Sequence, residues 1–510
     1  MTISPDNCRH ACGQADKDGG TDAWLLAKAA ASGNMYQNVT ASGILTFSVY
    51  AKAGTLNWAR LRNSVSGSTF WFDLANGVVG TTGSVIASAI NSVGNGWYRI
   101  SISESGTNGR YRIYPADGDG DTSATSGNIL IQNAQLEDGL VSTPYIATTT
   151  VAVSEGPVAN LPRLNSVAGG CPSLLLEPQR TNLITQSEYI GSSYWDKKTS
   201  TVTGGHISPI GQLNAYKVVE GSLDGLQWIE SSQVSTAAGD LTLSLYVKSA
   251  ERTKIGIRDG ISGAYATFDL SLGTVLDNSA GTDGGVESLP NGYYRLTLTI
   301  TSGTSIFYAL YILSDTYVSG APSDHTYQGD GTSGIYIYGA QAEEGSYATS
   351  YIPTYGTAAT RVAESSITSA NTLGGLSVGT FFIEMTRQGI DTSETGSAVS
   401  LRDNAGAEEL RLHFDAPTSQ VRWRDGNNSY AQVGNALPVT AGTAFKIIIK
   451  SDGTTAKVFG NGLQLGSDYS IVSAFDFQRI YNYQLGYEIK QQLFFPTALT
   501  DAECIELTTL

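Results

Sequence analysis

Cysteine, histidine and charge are scarce in this chain, and each scarcity closes off a class of function. The 510 residues include four cysteines and four histidines. Cys8–Arg9–His10–Ala11–Cys12 holds three candidate metal ligands, but the spacing is not a standard zinc pattern and no fourth ligand is evident nearby. Cys8, Cys12, Cys171 and Cys504 are therefore expected to be free thiols. The histidines, His10, His206, His325 and His413, are scattered through polar stretches and one strand-like run. No nucleophile elbow, phosphate loop or metalloprotease pattern accompanies them, so the chain is expected not to be an enzyme. A pair of carboxylates across a cleft, as a glycosidase uses, is left open by the sequence. Charged residues make up 15%, with 30 basic against 46 acidic, which gives 30 − 46 = −16. Without a Lys/Arg run this argues against nucleic acid as a partner. No apolar stretch reaches the roughly 18 residues of a membrane span. Met1–His10 is polar and lacks the apolar core of a secretion signal. The expectation is a protein that stays in the cytoplasm or leaves it by assembly into something larger.

Glycine is plentiful, at 58 residues, and helical periodicity is almost absent. Short runs alternate apolar and polar residues instead. Leu45, Phe47 and Val49 alternate with Thr46, Ser48 and Tyr50, and similar runs recur between Gly, Asn, Asp and Ser clusters such as Asn95–Gly96. Two-residue periodicity with closely spaced turns predicts antiparallel sandwiches. Only Asp22–Ala31 is ambiguous between helix and strand. Part of the chain repeats with its spacing intact. Tyr50–Ala51–Lys52 recurs as Tyr246–Val247–Lys248, Phe72–Asp73–Leu74 as Phe268–Asp269–Leu270, and Gly96–Trp97–Tyr98–Arg99 as Gly292–Tyr293–Tyr294–Arg295, each at an offset of 196. Ala134–Gln135–Leu136–Glu137 and Tyr145–Ile146 recur as Ala340–Gln341–Ala342–Glu343 and Tyr351–Ile352 at an offset of 206. A repeat this long is a folded module. The fold class expected is all-β, with three tandem antiparallel β-sandwich (jelly-roll) modules, the first two an internal duplication. Their bounds are 1–150 and 181–361, with a proline-containing linker at 151–180 and a third module at 362–510. The linker prolines, Pro157, Pro162, Pro172 and Pro178, exclude a central strand or a long helix there. The second module has a leader, 181–205, that the first lacks, so the first module is expected to be incomplete at its start or completed by another chain. Thr500–Asp501–Ala502–Glu503 has capping-box spacing and predicts a short helix through Leu507.

Cys171–Pro–Ser–Leu–Leu–Leu–Glu–Pro–Gln–Arg–Thr–Asn–Leu183, followed by Ser187–Glu188, resembles a segment common in structural proteins of tailed phages. So do Gly329–Asp–Gly–Thr–Ser–Gly334, Gly339–Ala–Gln341, Glu344–Gly345 and Ser350–Tyr–Ile–Pro–Thr354. The resemblance spans most of residues 20–361, although the first module's Ser142–Thr–Pro–Tyr–Ile146 diverges from it. It implies carbohydrate-binding-like sandwiches on a virion surface. Through Phe495–Pro–Thr–Ala–Leu–Thr–Asp–Ala–Glu503 the last third resembles concanavalin A-like or laminin-G-like jelly rolls. The implied function is a head fibre, capsid decoration or tail fibre that touches host or mucosal glycans weakly and in many copies. The implied partners are other capsid or tail proteins, glycans and further copies of the chain, a trimer by analogy with phage fibres. No membrane is implied, and assembly would take place in the host cytoplasm. The competing readings are a glycan-degrading depolymerase, a secreted carbohydrate-binding accessory protein and a purely structural spacer.

Several residues are candidates for contact with a glycan. Trp97 shares a strand face with Arg99, and Tyr293 with Arg295, opposite Ile100 and Ile102 in the first copy; Tyr336 and Tyr338 alternate with Ile335 and Ile337. A flat ring beside a donor suits a sugar, whose C–H face stacks while its hydroxyls are bonded. The competing reading is that these rings cover sheet edges or interfaces. Arg62 and Arg258 are expected on outer faces, either paired across strands with Asp73 and Asp269 at no more than about 1 kcal/mol or bonded to sugar hydroxyls. Trp423 is expected in a core and Tyr430 in an open loop. Asp117, Asp119 and Asp121 place carboxylates at alternate positions, as calcium prefers. Thr122 and Asn128 stand where an EF-hand has its glycine and closing glutamate, so a solvated acidic turn competes with the metal reading. No other cofactor is expected.

Overall fold

The computed structural model describes residues 2–3, 8–83, 86–148, 151–153, 163–165, 172–368, 373, 377–389, 396–403, 409–415, 418–424, 430–432, 437–471, 478–483 and 486–509. Strands dominate from end to end, and Asp22–Ala31 resolves into the strand Ala23–Lys28. Two long strands, Met35–Ala53 and Trp97–Ala116, organise the first part. They pair antiparallel along most of their length, with one register shift between Val39 and Ser42. Around them runs a ten-stranded sheet whose main path places, in order, Cys8–Gln14, Ala23–Lys28, Asn128–Asp138, the two long strands, Trp58–Asn63, Thr69–Asp73 and Val78–Thr82. Leu26, Phe47, Val49, Ile100 and Ile129 at one end meet Leu61, Phe70, Phe72 and Ile113 from the other in one cluster, so the sheet folds back on itself. The first residues supply a short edge, with Thr2 and Ile3 opposite Tyr36 and Met35.

The second part has two six-stranded sheets among the described residues. One runs Thr201–His206, Ala215–Val219, Gly334–Glu344, Gly239–Ser249, Tyr294–Ser302, Asp283–Ser288. The other runs Trp195–Asp196, Gln227–Ser231, Tyr308–Leu313, Lys254–Asp259, Tyr265–Asp269, Thr274–Asn278. Leu243, Leu245, Ile257, Phe268, Leu298 and Leu310 join them in one core, which the leader seals with Ile184, Ile190 and Trp195. Ile44 and Leu140 of the first part belong to the same cluster, and the Ile44 amide donates to the Tyr355 carbonyl. Asn95–Gly96 and Asn291–Gly292 both turn with positive φ (53° and 74°; 65° and 75°). Asn and Gly accept that conformation at least cost, and it aligns the twist of flanking strands.

In the last part an eight-stranded sheet contributes Phe381, Ile383 and Met385 to a core shared with Val399, Leu401 and Leu412 of a seven-stranded sheet. The segment expected to be a mere connector enters this sheet. Leu164–Asn165 pairs with Ser173–Leu176, which pairs in turn with Tyr487–Ile489. Pro172 and Pro178 flank Ser173–Leu176 without entering it, so the strand keeps its donors and pairs on both sides. The helix forms at Asp501–Thr508, with Thr500 accepting from the Glu503 amide and Glu503 accepting from the Thr500 amide. It lays Cys504 against Phe382, Ile448 and Phe459, and burial raises that thiol to about 11. No described helix is long and apolar enough to cross a membrane.

Candidate functional site

Strand alternation assigns side chains to two faces, and in the first two parts much of the polar face is covered as well as the apolar one. The repeated Gln and Glu explain why. Gln341 accepts from the Ile352 amide (2.7 Å) and donates to Glu343 (2.7 Å), which accepts from the Thr349 amide (2.8 Å). Gln135, Glu137, Thr143 and Ile146 make the same contacts, at 2.7 Å for Ile146 to Gln135, 2.8 Å for Gln135 to Glu137 and 3.0 Å for Thr143 to Glu137. These bonds fold the chain after the strand back over the sheet's polar face. Arg295 reaches Ser244 (3.2 Å) beneath it, and Arg99 reaches Ser48 (3.0 Å). The residues expected on an open face are thus mostly interior. Trp97 is 1% exposed, Arg99 8%, Tyr293 1%, Arg295 9% and Tyr338 3%, which leaves no ring or guanidinium open to a sugar. Tyr338 donates to Glu188 (2.8 Å), and burial followed by the Glu188 charge raises its phenol strongly. Tyr293 donates to the Ile207 carbonyl (2.6 Å), and burial holds it at about 12.

The acidic turn does not converge on a cation. Asp119 accepts from the amide and hydroxyl of Thr81 (2.8 and 2.9 Å), while Asp121 accepts from the amide and hydroxyl of Ser123, both at 2.8 Å. Burial works to raise Asp121, but these donors outweigh it and hold the carboxyl at about 2. Asp117 is exposed. Among the described residues no group of three or more His, Cys, Asp or Glu side chains could hold a metal. The calcium reading is corrected: Asp121 is spent on its own turn, Asp119 on Thr81 of a neighbouring strand, and the exposed Asp117 makes no group of three with them to hold a cation. The Arg–Asp cross-strand pairs are corrected too, because Arg62 faces Thr69 and Arg258 faces Tyr265, while Asp73 and Asp269 accept from turn amides two residues on. The Trp423 and Tyr430 side chains lie outside the described residues.

One open patch gathers around Tyr336. Its ring is half-buried, with Lys217 and Lys248 as its direct partners on the neighbouring strands. Directly opposed residues share a face, so both lysine side chains leave the sheet beside the ring, although the Lys217 ammonium turns to Glu251 and the Thr332 carbonyl. The His206 ring lies 4.9 Å away at 54°. Burial, then the Lys217 charge, lowers the His206 pKa, which leaves a neutral imidazole able to donate and accept at pH 7. Lys217 is tied to Glu251 at 2.7 Å, and the Lys248 ammonium stands 5.7 Å from the buried Tyr293 ring. Sequence reading missed His206, Lys217 and Lys248; the recurrence of Lys52 as Lys248 was the available signal for one of them. On the other sheet, burial raises the Tyr311 phenol against the nearby Arg258 charge, and Tyr311 stacks on Trp228 at 5.3 Å and 3°. Two shallow clefts of about 540 Å³ each also open on the surface. One lies beside Tyr194, Lys197, Glu230 and Phe307, the other beside Asn38, Ser64, Asn108 and Arg110.

No known protein family and no curated protein matches the chain. Among solved structures it is similar to the Ruminococcus gnavus IT-sialidase CBM40 bound to alpha2,3 sialyllactose, at 14% identity over 27% of this chain and 85% of that one, with a TM-score of 0.22. Domain 4 of AbnA, a GH43 extracellular arabinanase from Geobacillus stearothermophilus, in complex with arabinotriose, gives 13% identity over 30% and 73%, with a TM-score of 0.23. The LG1-3 region of the laminin alpha2 chain gives 10% identity over 92% and 96%, with a TM-score of 0.20. At these scores the likenesses assign neither a family nor a ligand.

Proposed function

We propose that this chain is a non-catalytic carbohydrate-binding protein of a tailed-phage virion, built from two duplicated jelly-roll sandwiches and a third, concanavalin-like one. In this reading it assembles with capsid or tail proteins and with further copies of itself. The observation that carries the binding reading is the Tyr336 patch: a half-buried ring with a lysine directly opposite on each neighbouring strand and an imidazole 4.9 Å away. Such a patch can stack a sugar's C–H face and bond its hydroxyls. It holds no arrangement of acid and base across a cleft.

Duplication is supported by strand order and register. In the first sheet the strands of 8–14, 23–28, 128–138, 35–53, 97–116 and 87–94 neighbour one another as do those of 201–206, 215–219, 334–344, 239–249, 294–302 and 283–288. Tyr50 faces Arg99 as Tyr246 faces Arg295. The virion assignment is supported by the phage-like motif at 171–183, whose Glu177 is 1% exposed and binds Arg361 at 3.0 Å. A glycan array with the native chain and Tyr336→Ala tests the binding reading. Neutral glycans should bind the native chain and lose about tenfold in affinity on the variant, the order of one stacking contact. An empty array, or equal binding by both proteins, refutes it. Purified virions that lack the protein would refute the virion assignment.

A further inference from the structure

The outer face of the first sandwich carries a grid of positive charge that its fold does not require. Tyr36, Arg112, Arg62 and Thr69 are successive partners across neighbouring strands, and Tyr114, Arg60 and Trp71 form the next row. Asn38 and Arg110 pair on the other side of the first row. Directly opposed residues share a face, and Leu61, Phe70, Phe72 and Ile113 fill the opposite one at 0% exposure. Arg60, Arg62, Arg110 and Arg112 therefore stand together, about 6.6 Å apart along a strand and about 4.8 Å between strands.

These arginines are held by rings rather than acids. Arg60 lies 3.7 Å from the Tyr114 centroid, and Arg110 and Arg112 lie 4.9 and 5.6 Å from that of Tyr36. Arg112 donates to the Tyr114 hydroxyl at 3.2 Å and Arg110 to Asn38 at 2.7 Å. Among the described residues none of the four has a carboxylate within 4.0 Å. Asp121 acts on Arg60 only at longer range. Arg60 is 7% exposed, yet its Nε has no hydrogen-bond partner, nor do those of Arg62 and Arg112. Arg62 and Arg112 face each other directly, and like charges so placed are destabilising.

The second sandwich shows that the scaffold folds without this charge. There Gly256 faces Tyr311 as Arg60 faces Tyr114, and Ala309 faces Arg258 as Arg112 faces Arg62. The Gly260 amide donates to Phe307 as the Ser64 amide donates to Arg110. Only Arg62 keeps a charged counterpart. In a chain of net charge −16, a repulsive grid with no acid in contact and only Asp121 acting at longer range is explained by a ligand that supplies the negative charge.

We infer that this face binds an acidic polysaccharide. The Arg62–Arg112 pair takes a carboxylate through guanidinium forks, and the sugar chain runs past Arg110 into the cleft beside Asn38 and Ser64. A single-stranded nucleic acid fits less well. The guanidinium planes already lie over the rings a base would stack on, and the protein's negative field opposes a ligand charged at every unit. This face is separate from the Tyr336 patch, and the inference stands without it.

Titration calorimetry on the full chain tests this, using a galacturonic acid hexasaccharide and its methyl ester, which has the same skeleton without charge. The free acid should bind, weakening about fivefold or more as salt rises from about 0.05 to about 0.3 M. The ester should not bind this face, so any heat it gives, from the Tyr336 patch, should be insensitive to salt and to the Arg62→Gln/Arg112→Gln change. The Arg62→Gln/Arg112→Gln protein should lose about tenfold or more in affinity while unfolding at the same or a higher temperature, because the repulsion is gone. Arg258→Gln, on the second sandwich, should bind as the native chain does. Equal binding of acid and ester, undiminished binding by the double variant, no binding of the acid at millimolar concentration, or displacement of the acid by an oligothymidylate of equal charge would each overturn the inference. None of these results touches neutral-glycan binding at Tyr336.

Discussion

Replacing Gln341 by alanine should damage the second sandwich far more than the matching change damages the first. Gln341 is 0% exposed and accepts from the Ile352 amide while donating to Glu343. Its loss leaves a buried amide without an acceptor, at about 1–3 kcal/mol, and strips a donor from a buried carboxyl, at about 1.5–3 kcal/mol. The sum is about 2.5–6 kcal/mol, large beside the 5–15 kcal/mol that typically holds a domain. Gln135 makes the same bonds at 8% exposure, but Thr143 is exposed and Ile146 half-buried, so water can replace the lost partners. About 1 kcal/mol should be lost there. Hydrogen exchange of peptides covering 346–354 and 141–147 reads the two sites separately, which a single melting curve of a multi-part chain does not. Protection of 346–354 should collapse in Gln341→Ala, with a smaller change at 141–147 in Gln135→Ala. Equal losses, or unchanged protection at 346–354, would refute the claim that this network holds the covering segment down.

Glu188 is buried, and that burial raises its pKa although Tyr338 and Asn214 bond it. A raised carboxyl favours folding below its unfolded pKa of about 4.3 and loses that contribution as pH climbs through the folded value. Glu188→Gln should therefore be more stable than the native chain at pH 8 and gain nothing at pH 4, as thermal melts at both values will show; a constant gap would contradict the assignment. Calcium at about 5 mM, ample for weak extracellular-type sites, should not shift the melting temperature, because Asp119 and Asp121 are engaged by Thr81 and Ser123. A stabilising shift that Asp119→Asn abolishes would reverse this. Iodoacetamide should label exposed Cys12 in the folded chain and leave Cys504 untouched until unfolding, as peptide mass spectrometry can report.

Much of the architecture was legible because it is written in local chemistry. Alternation placed the strand around Leu45–Tyr50, and the Thr500–Glu503 spacing placed the helix. The site was less legible. Alternation says that Arg295 and Tyr338 point away from Ile300 and Ile337. It does not say that residues 346–354 fold back over them, since that depends on hydrogen bonds between positions 6 to 11 residues apart. Nor could the Arg62–Asp73 spacing reveal a register in which Arg62 meets Thr69, which the turn between the strands decides.

Composition and periodicity by themselves determined an all-β chain with two stretches in matching register and few means of catalysis, because those properties depend on neighbours along the chain. Which polar side chains remained in water was settled only when distant segments met. Tyr336 stayed open because its flanking partners are lysines, whereas Tyr338, two residues on, was drawn under cover by Glu188. The arginines of the first sandwich were scattered over some fifty residues of sequence (Arg60 to Arg112) until antiparallel pairing set them side by side. Pairing register, not sequence distance, decides which charges share a face.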